Sequence, residues 1–178
     1  LMSFKEIKEL RQAGKLDEAL AMALQALEAD FGNIWNKRAA AWVYYDFLKQ
    51  NSTPSGFDSF KENLIKIKEL QLPDDEHMVF DSCAWQIGSL VFSLNKEIHI
   101  DFKKIDELFE IIISFHFSKP ADGYSFLYKA FHKGNKEWNS YLKFADWWNF
   151  ENFQTDDYLE ETYKGRNLMA LAEQAYIA

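Results

Sequence analysis

An all-α chain of stacked helical hairpins is what this sequence predicts, and three observations predict it. Apolar residues recur at three- and four-residue spacing through segment after segment, the period of a helix with one buried stripe. No segment sustains the strict alternation with β-branched residues that a half-buried strand requires. Proline and glycine fall between the periodic segments, at Pro54, Pro73 and Pro120 and at Gly14, Gly32, Gly56, Gly134 and Gly165. A missing amide hydrogen or a permissive backbone costs least there. Gly88 sits instead inside a helical pattern and implies a close helix–helix approach.

Taken in order, helices are expected over 3–13, 16–30, 34–49, 57–71, 75–94, 102–117, 120–132, 136–148, 156–163 and 167–178. Leu16, Leu20, Ala23 and Leu27 stripe the second, Phe60, Leu64 and Ile67 the fourth, and Phe102, Ile105, Phe109 and Ile112 the sixth. Tyr124, Leu127, Tyr128 and Phe131, then Trp138, Tyr141, Leu142 and Ala145, continue the pattern. Ser55 with Asp58, and Asp157 with Glu160, place a small polar residue three before an acid, the arrangement that caps free N–H groups. Asp74 and Asp75 follow Pro73 and suit the start of the next helix, where the dipole favours acids. The longest uncharged stretch, Ser82 to Asn95, falls short of the ~20 apolar residues of a membrane span and reads as a buried core helix.

Composition narrows the function. With 48% hydrophobic and 17% aromatic residues, the 178-residue chain can bury a core and is not intrinsically disordered. Cys83 is the single cysteine, so no disulfide scaffold exists within the chain. The net charge of −8 is concentrated between residues 51 and 116, where phosphate backbones are repelled. Direct nucleic-acid binding by this stretch of chain is therefore not expected, nor is a membrane partner. The opening Met2-Ser3-Phe4-Lys5-Glu6 is charged and helical rather than a secretory signal, which points to a cytoplasmic protein. Met2 reads as the natural start, with Leu1 a leftover of cloning.

Pairing the helices exposes a repeat. The second helix of each pair begins near residues 16, 58, 102 and 136, a period typical of helix–turn–helix solenoids. The run Gln12-Ala13-Gly14-Lys15-Leu16-Asp17-Glu18-Ala19-Leu20, then Ala23 and Ala26-Leu27-Glu28-Ala29-Asp30, resembles the tetratricopeptide repeat. Ala19 and Ala26 match that family's small contact positions, Leu10 stands at an aromatic position, and Phe31 replaces the usual proline. Ala40, Ala41 and Tyr44 fit the first helix of a second repeat. The motif covers residues 5–49, and only the architecture extends over 57–148, beyond a long loop at Asn51–Gly56. The resemblance implies a right-handed superhelix of about four hairpins over residues 1–148. The alternative is a helical bundle that includes one such hairpin.

Residues 149–178 are expected to form capping or linking helices. Trp147-Trp148-Asn149-Phe150-Glu151-Asn152-Phe153, Asp156-Asp157-Tyr158, Lys164-Gly165 and Leu171-Ala172-Glu173 break the repeat rhythm. This tail resembles the end of the helical N-terminal part of multidomain bacterial proteins from TOTE conflict systems, which continue into an OB-type nucleic-acid-binding domain. The apolar end Ala175-Tyr176-Ile177-Ala178 also suggests a further domain, since solenoid ends carry polar caps.

Residues that carry chemistry are sparse. His77, His99, His116 and His132 lack the spacing of a helical metal pair, and no cofactor loop or metal site is expected. Cys83 lies on an apolar helix face, which favours an inert thiol. The acids Asp74-Asp75-Glu76 and Asp106, Glu107 and Glu110 read as a solvated face with dipole complementation.

Trp35, Arg38, Trp42, Tyr45 and Asp46 share one helix face at three- and four-residue spacing. Aromatic and arginine side chains anchor binding hot spots. By resemblance, this face turns toward a concave groove that takes a protein or peptide partner. The family's lysine and asparagine clamp for peptide carboxylates is not reproduced, and the two tryptophans would equally suit packing beneath the Asn51–Gly56 loop. Lys129, Lys133 and Lys136 gather near the Gly134 turn, either to complement a helix dipole or to make an anionic contact. The function expected is protein–protein recognition or scaffolding without catalysis. A helical arm of a nucleic-acid-associated conflict protein is the alternative, and an enzyme on a helical scaffold comes last.

Overall fold

The computed structural model describes residues 4–94, 96–99, 101–112 and 114–115. Among them all regular secondary structure is helical. The helices expected beyond residue 117, with Lys129, Lys133 and Lys136, lie outside the described residues. The chain divides into two compact units, residues 1–79 and 80–178.

The first unit holds α1 (Phe4–Gln12), α2 (Leu16–Ala29), α3 (Ile34–Gln50) and α4 (Phe57–Glu69), and ends in the first residues of α5 (His77–Leu94). α1 packs on α2 and α3, α2 on α3, and α3 on α4. Of the expected α2 stripe, Leu16, Ala23 and Leu27 are buried, but Leu20 is only half-buried and Ala19 takes its place. Phe60, Leu64 and Ile67 of α4 are buried as read. Leu16, Ala19, Ala23 and Leu27 line α2, while Phe57, Phe60, Leu64 and Ile67 line α4.

Each connection has a local cause. α1 stops because Gly14 adopts a left-handed φ of 74°. Its N–H donates to Arg11 O at 3.0 Å and the next N–H, of Lys15, donates to Leu10 O at 2.9 Å, which satisfies the last carbonyls of the helix. Between α2 and α3, the Asn33 side chain accepts from the N–H groups of Trp35 (2.9 Å) and Asn36 (3.4 Å) and so caps α3. The Asn36 amide then donates to Ala26 O at 2.9 Å and Asp30 O at 3.0 Å, closing the end of α2 from the start of α3.

The α3–α4 loop corrects one expectation. Ser55 does not cap α4. It lies in a 3₁₀ turn, Pro54–Gly56, its hydroxyl 3.2 Å from that of Thr53, and Gly56 is the residue that precedes α4. Proline at the head of the turn favours the tighter winding, which moves Ser55 out of capping position. Gly56 passes so close to Asn51 that an added Cβ would lie 2.6 Å from its carbonyl oxygen.

α4 also ends earlier than residue 71, because Gln71 takes a left-handed φ of 51°. α5 begins at His77 rather than 75, since Glu76 N first closes a turn on Pro73 O at 2.9 Å. A proline has no N–H for a helix ladder, and the segment it heads turns before it winds.

In the second unit, α5 and α6 (Phe102–Ile112) carry the described core. Cys83, Ala84, Ile87, Leu90, Val91 and Leu94 are buried on α5, with Gly88 among them, as the uncharged stretch implied. Ile105, Leu108, Phe109 and Ile112 are buried on α6. This helix ends at Ile112 rather than 117. Ser114 N donates to Ile111 O and Phe115 N to Ile112 O, both tight turns, and the Ser114 hydroxyl donates to Ile111 O at 2.7 Å. Phe115 then folds back so that its ring lies 4.7 Å from that of Phe80. Among the described residues no helix is long and apolar enough to cross a membrane.

Two predictions follow from this packing. Gly56→Ala forces backbone to move and should cost about 1–3 kcal/mol. Gly32→Ala, whose Cβ would meet only the Asp30 carboxylate at an ordinary 3.4 Å, should cost little; urea unfolding midpoints of the two variants test the contrast. Burial pushes the Cys83 thiol well above its ordinary pKa. The folded state therefore holds the neutral thiol, a contribution to stability that is present below the unfolded thiol's pKa of about 8.5 and lost as pH rises above it. Iodoacetamide should leave the native chain unmodified at pH 8 and label it once urea unfolds it.

Candidate functional site

The site grows out of the way α3 is buried. Ala39, Ala40, Ala41, Val43, Tyr44 and Leu48 are all buried. At 3.6 residues per turn they sweep about 200° of the helix surface. About 160° remains, and Trp35, Arg38, Trp42, Tyr45 and Asp46 share a stripe of about 100° of it. Burial also raises the Tyr44 phenol above its ordinary pKa, a raised value that the nearby Lys66 ammonium partly offsets.

Neighbouring elements hold the stripe in place. Arg11 of α1 donates from Nε to Asp46 Oδ2 at 2.7 Å and from Nη2 to Oδ1 at 3.3 Å, a two-point ion pair that is mostly shielded from solvent. The same guanidinium lies 5.5 Å from the centre of the Trp42 ring, and Tyr45 meets Trp42 edge-on at 5.4 Å. Further along the stripe, Arg38 lies 4.6 Å over Trp35 while its guanidinium pairs with Glu76. Glu76 holds the Arg38 charge and raises its pKa, with Asp75 adding to the effect through space. Phe4 completes the row by meeting Trp35 edge-on at 5.9 Å. Trp35 nonetheless remains 57% exposed.

A cleft of about 340 Å³ opens beside the stripe, lined by Arg38, Ala41 and Trp42 of α3, Leu72 and Asp75–Glu76 of the following loop, and His77–Val79 of α5. Met78 stands 74% exposed at this cleft. The His77 Nδ1 is buried and has no hydrogen-bond partner.

One assignment from sequence needs revision. Glu76 is not part of a merely solvated acidic face, since it is the counter-ion of Arg38 and largely buried. Trp35, Trp85, Phe4 and Phe31 are exposed, and the Phe31 ring faces the Lys37 ammonium at 4.6 Å. Phe4, Arg11, Glu76 and His77 were missed as site residues because each lies a full hairpin away from α3 in sequence. No pattern within one helix announces such a neighbour. Among the described residues no cluster of three or more histidine, cysteine or acidic side chains is placed to hold a metal.

No family model, curated protein or solved structure matches this chain.

A double-mutant cycle on Arg11→Ala and Asp46→Ala should give a coupling energy of about 1 kcal/mol, since the pair is two-point and only partly solvated. Urea unfolding of the four chains measures it. Half-molar salt should reduce the coupling only modestly, because screening acts weakly on partly buried charges.

Proposed function

We propose that the chain is a non-catalytic recognition module, a tetratricopeptide-like stack of helical hairpins that binds a protein or peptide partner along the exposed stripe of α3. The observation that carries the reading is the row Phe4, Trp35, Arg38, Trp42, Tyr45: exposed or half-exposed aromatic and arginine side chains, held by ion pairs to Glu76 and Asp46 beside an open cleft. Such residues dominate binding energy at interfaces, and fixing them beforehand lowers the entropy lost on docking.

Long-range links support the repeat. Arg11–Asp46, Lys37–Gln71 and Arg38–Glu76 join residues 35, 34 and 38 apart, close to the tetratricopeptide period of 34. α3 also packs on both helices of the preceding hairpin, as the first helix of a following repeat would. A buried free thiol suits a reducing compartment, and the cytoplasm is the setting we assign.

The test is a displayed random-peptide library selected on the wild-type chain, with the winners remeasured on Trp35→Ala and Arg38→Ala. Trp35 is the better first variant because its exposure makes unfolding an unlikely cause of lost binding. Binding should fall about tenfold or more on Trp35→Ala, with the thermal midpoint unchanged. Peptides that bind both variants as tightly as wild type would place recognition elsewhere.

A further inference from the structure

The cleft beside α3 has a chemistry of its own. Its walls are apolar or soft: Ala41, the Trp42 indole, Leu72, Met78 and Val79. Its polar groups are Arg38, Asp75, Glu76 and His77. Arg38 and Glu76 are committed to one another, so their charges cancel locally. Asp75 remains as an excess negative charge, exposed at the opening. His77 also lines the cleft, but its Nδ1 is enclosed and out of a ligand's reach.

We propose that this cleft is the seat for one basic side chain, lysine or arginine, of the protein partner. The proposal rests on the recognition reading above and names the partner residue that recognition would select.

The volume of about 340 Å³ lies at the small end of ligand sites and suits a single side chain. The aliphatic stem of lysine or arginine lies against Trp42, Leu72 and Val79, as such stems do on apolar surface. Its cationic head meets the exposed Asp75 carboxylate at the opening. An aromatic wall adds to the attraction for a cation. An acidic side chain would face two carboxylates, and the one guanidinium within reach is already occupied by Glu76. A neutral apolar side chain would leave the Asp75 charge without a counter-ion.

Three small probes decide the matter on the full chain: the N-acetyl, C-methylamide derivatives of lysine, norleucine and glutamate. Nuclear magnetic resonance follows the Trp42 indole N–H and the His77 ring nitrogens. The lysine probe should shift both saturably, and the other two should not do so at equal concentration. Asp75→Asn should weaken the lysine probe about twofold to fivefold, the range of a solvent-exposed ion pair. Asp75→Glu should restore it, and neither change should alter the thermal midpoint.

Equal response to norleucine, preference for glutamate, or indifference to Asp75→Asn would each overturn the proposal. Failure here is separable from failure of the recognition reading. Library peptides that depend on Trp35 but tolerate lysine and arginine replaced by norleucine would keep the groove and remove the basic seat. A lysine probe that binds as described, when no peptide depends on Trp35, would keep the seat and remove the groove.

Discussion

Burial of α3 over more than half of its circumference is the constraint from which the first unit follows. Three consecutive alanines, Ala39 to Ala41, all fully or nearly fully covered, cannot share one side of a helix, because successive residues are about 100° apart. Neighbours must therefore come at α3 from several directions, and α1, α2 and α4 do so. Small side chains permit that approach. Burying apolar area contributes roughly 25 cal/mol per Å², so this packing outweighs any single ion pair at the edges.

The polar side chains of α3 then decide how the neighbours are held. Asn36 closes the end of α2, Lys37 reaches Gln71 O just after α4 at 3.3 Å, Arg38 takes Glu76, and Asp46 takes Arg11. One helix thus supplies both the core and a tether to each flanking segment. The tethers matter less for total stability than for orientation. They fix Trp35 and Trp42 through the guanidiniums stacked on them.

That arrangement divides the labour along the stripe. Asp46 and Arg38 are engaged within the fold, so their charges serve mainly to position aromatic rings. Trp35 is exposed, Trp42 and Tyr45 are half-exposed, and the Asp75 carboxylate is exposed at the cleft. The recognition proposed above would thus draw on the apolar area of α3 and on the charge of Asp75 in the segment leading into α5. The second unit contributes differently. In α5 the uncharged run produces a helix whose buried face includes Cys83 and Gly88, and its thiol is held neutral by the same burial that makes it inert.

By itself the sequence determined the helical class, the positions of the first six helices to within a few residues, the buried stripe of α4 and most of that of α2, and the face shared by Trp35, Arg38, Trp42, Tyr45 and Asp46. Those features depend on spacing within one helix, and spacing is local. Tertiary structure decided what meets that face. Arg11, Glu76, Phe4 and His77 are brought to it from other helices and loops, and nothing in their immediate neighbours marks them. It also decided where helices stop. Gln71 enters the left-handed region without being glycine, and Ser55 is drawn into a 3₁₀ turn, because packing of the connections outweighs the modest preferences of single residues. Periodicity can show that a side chain is on the outside of its helix, but only the fold supplies the charge across from it.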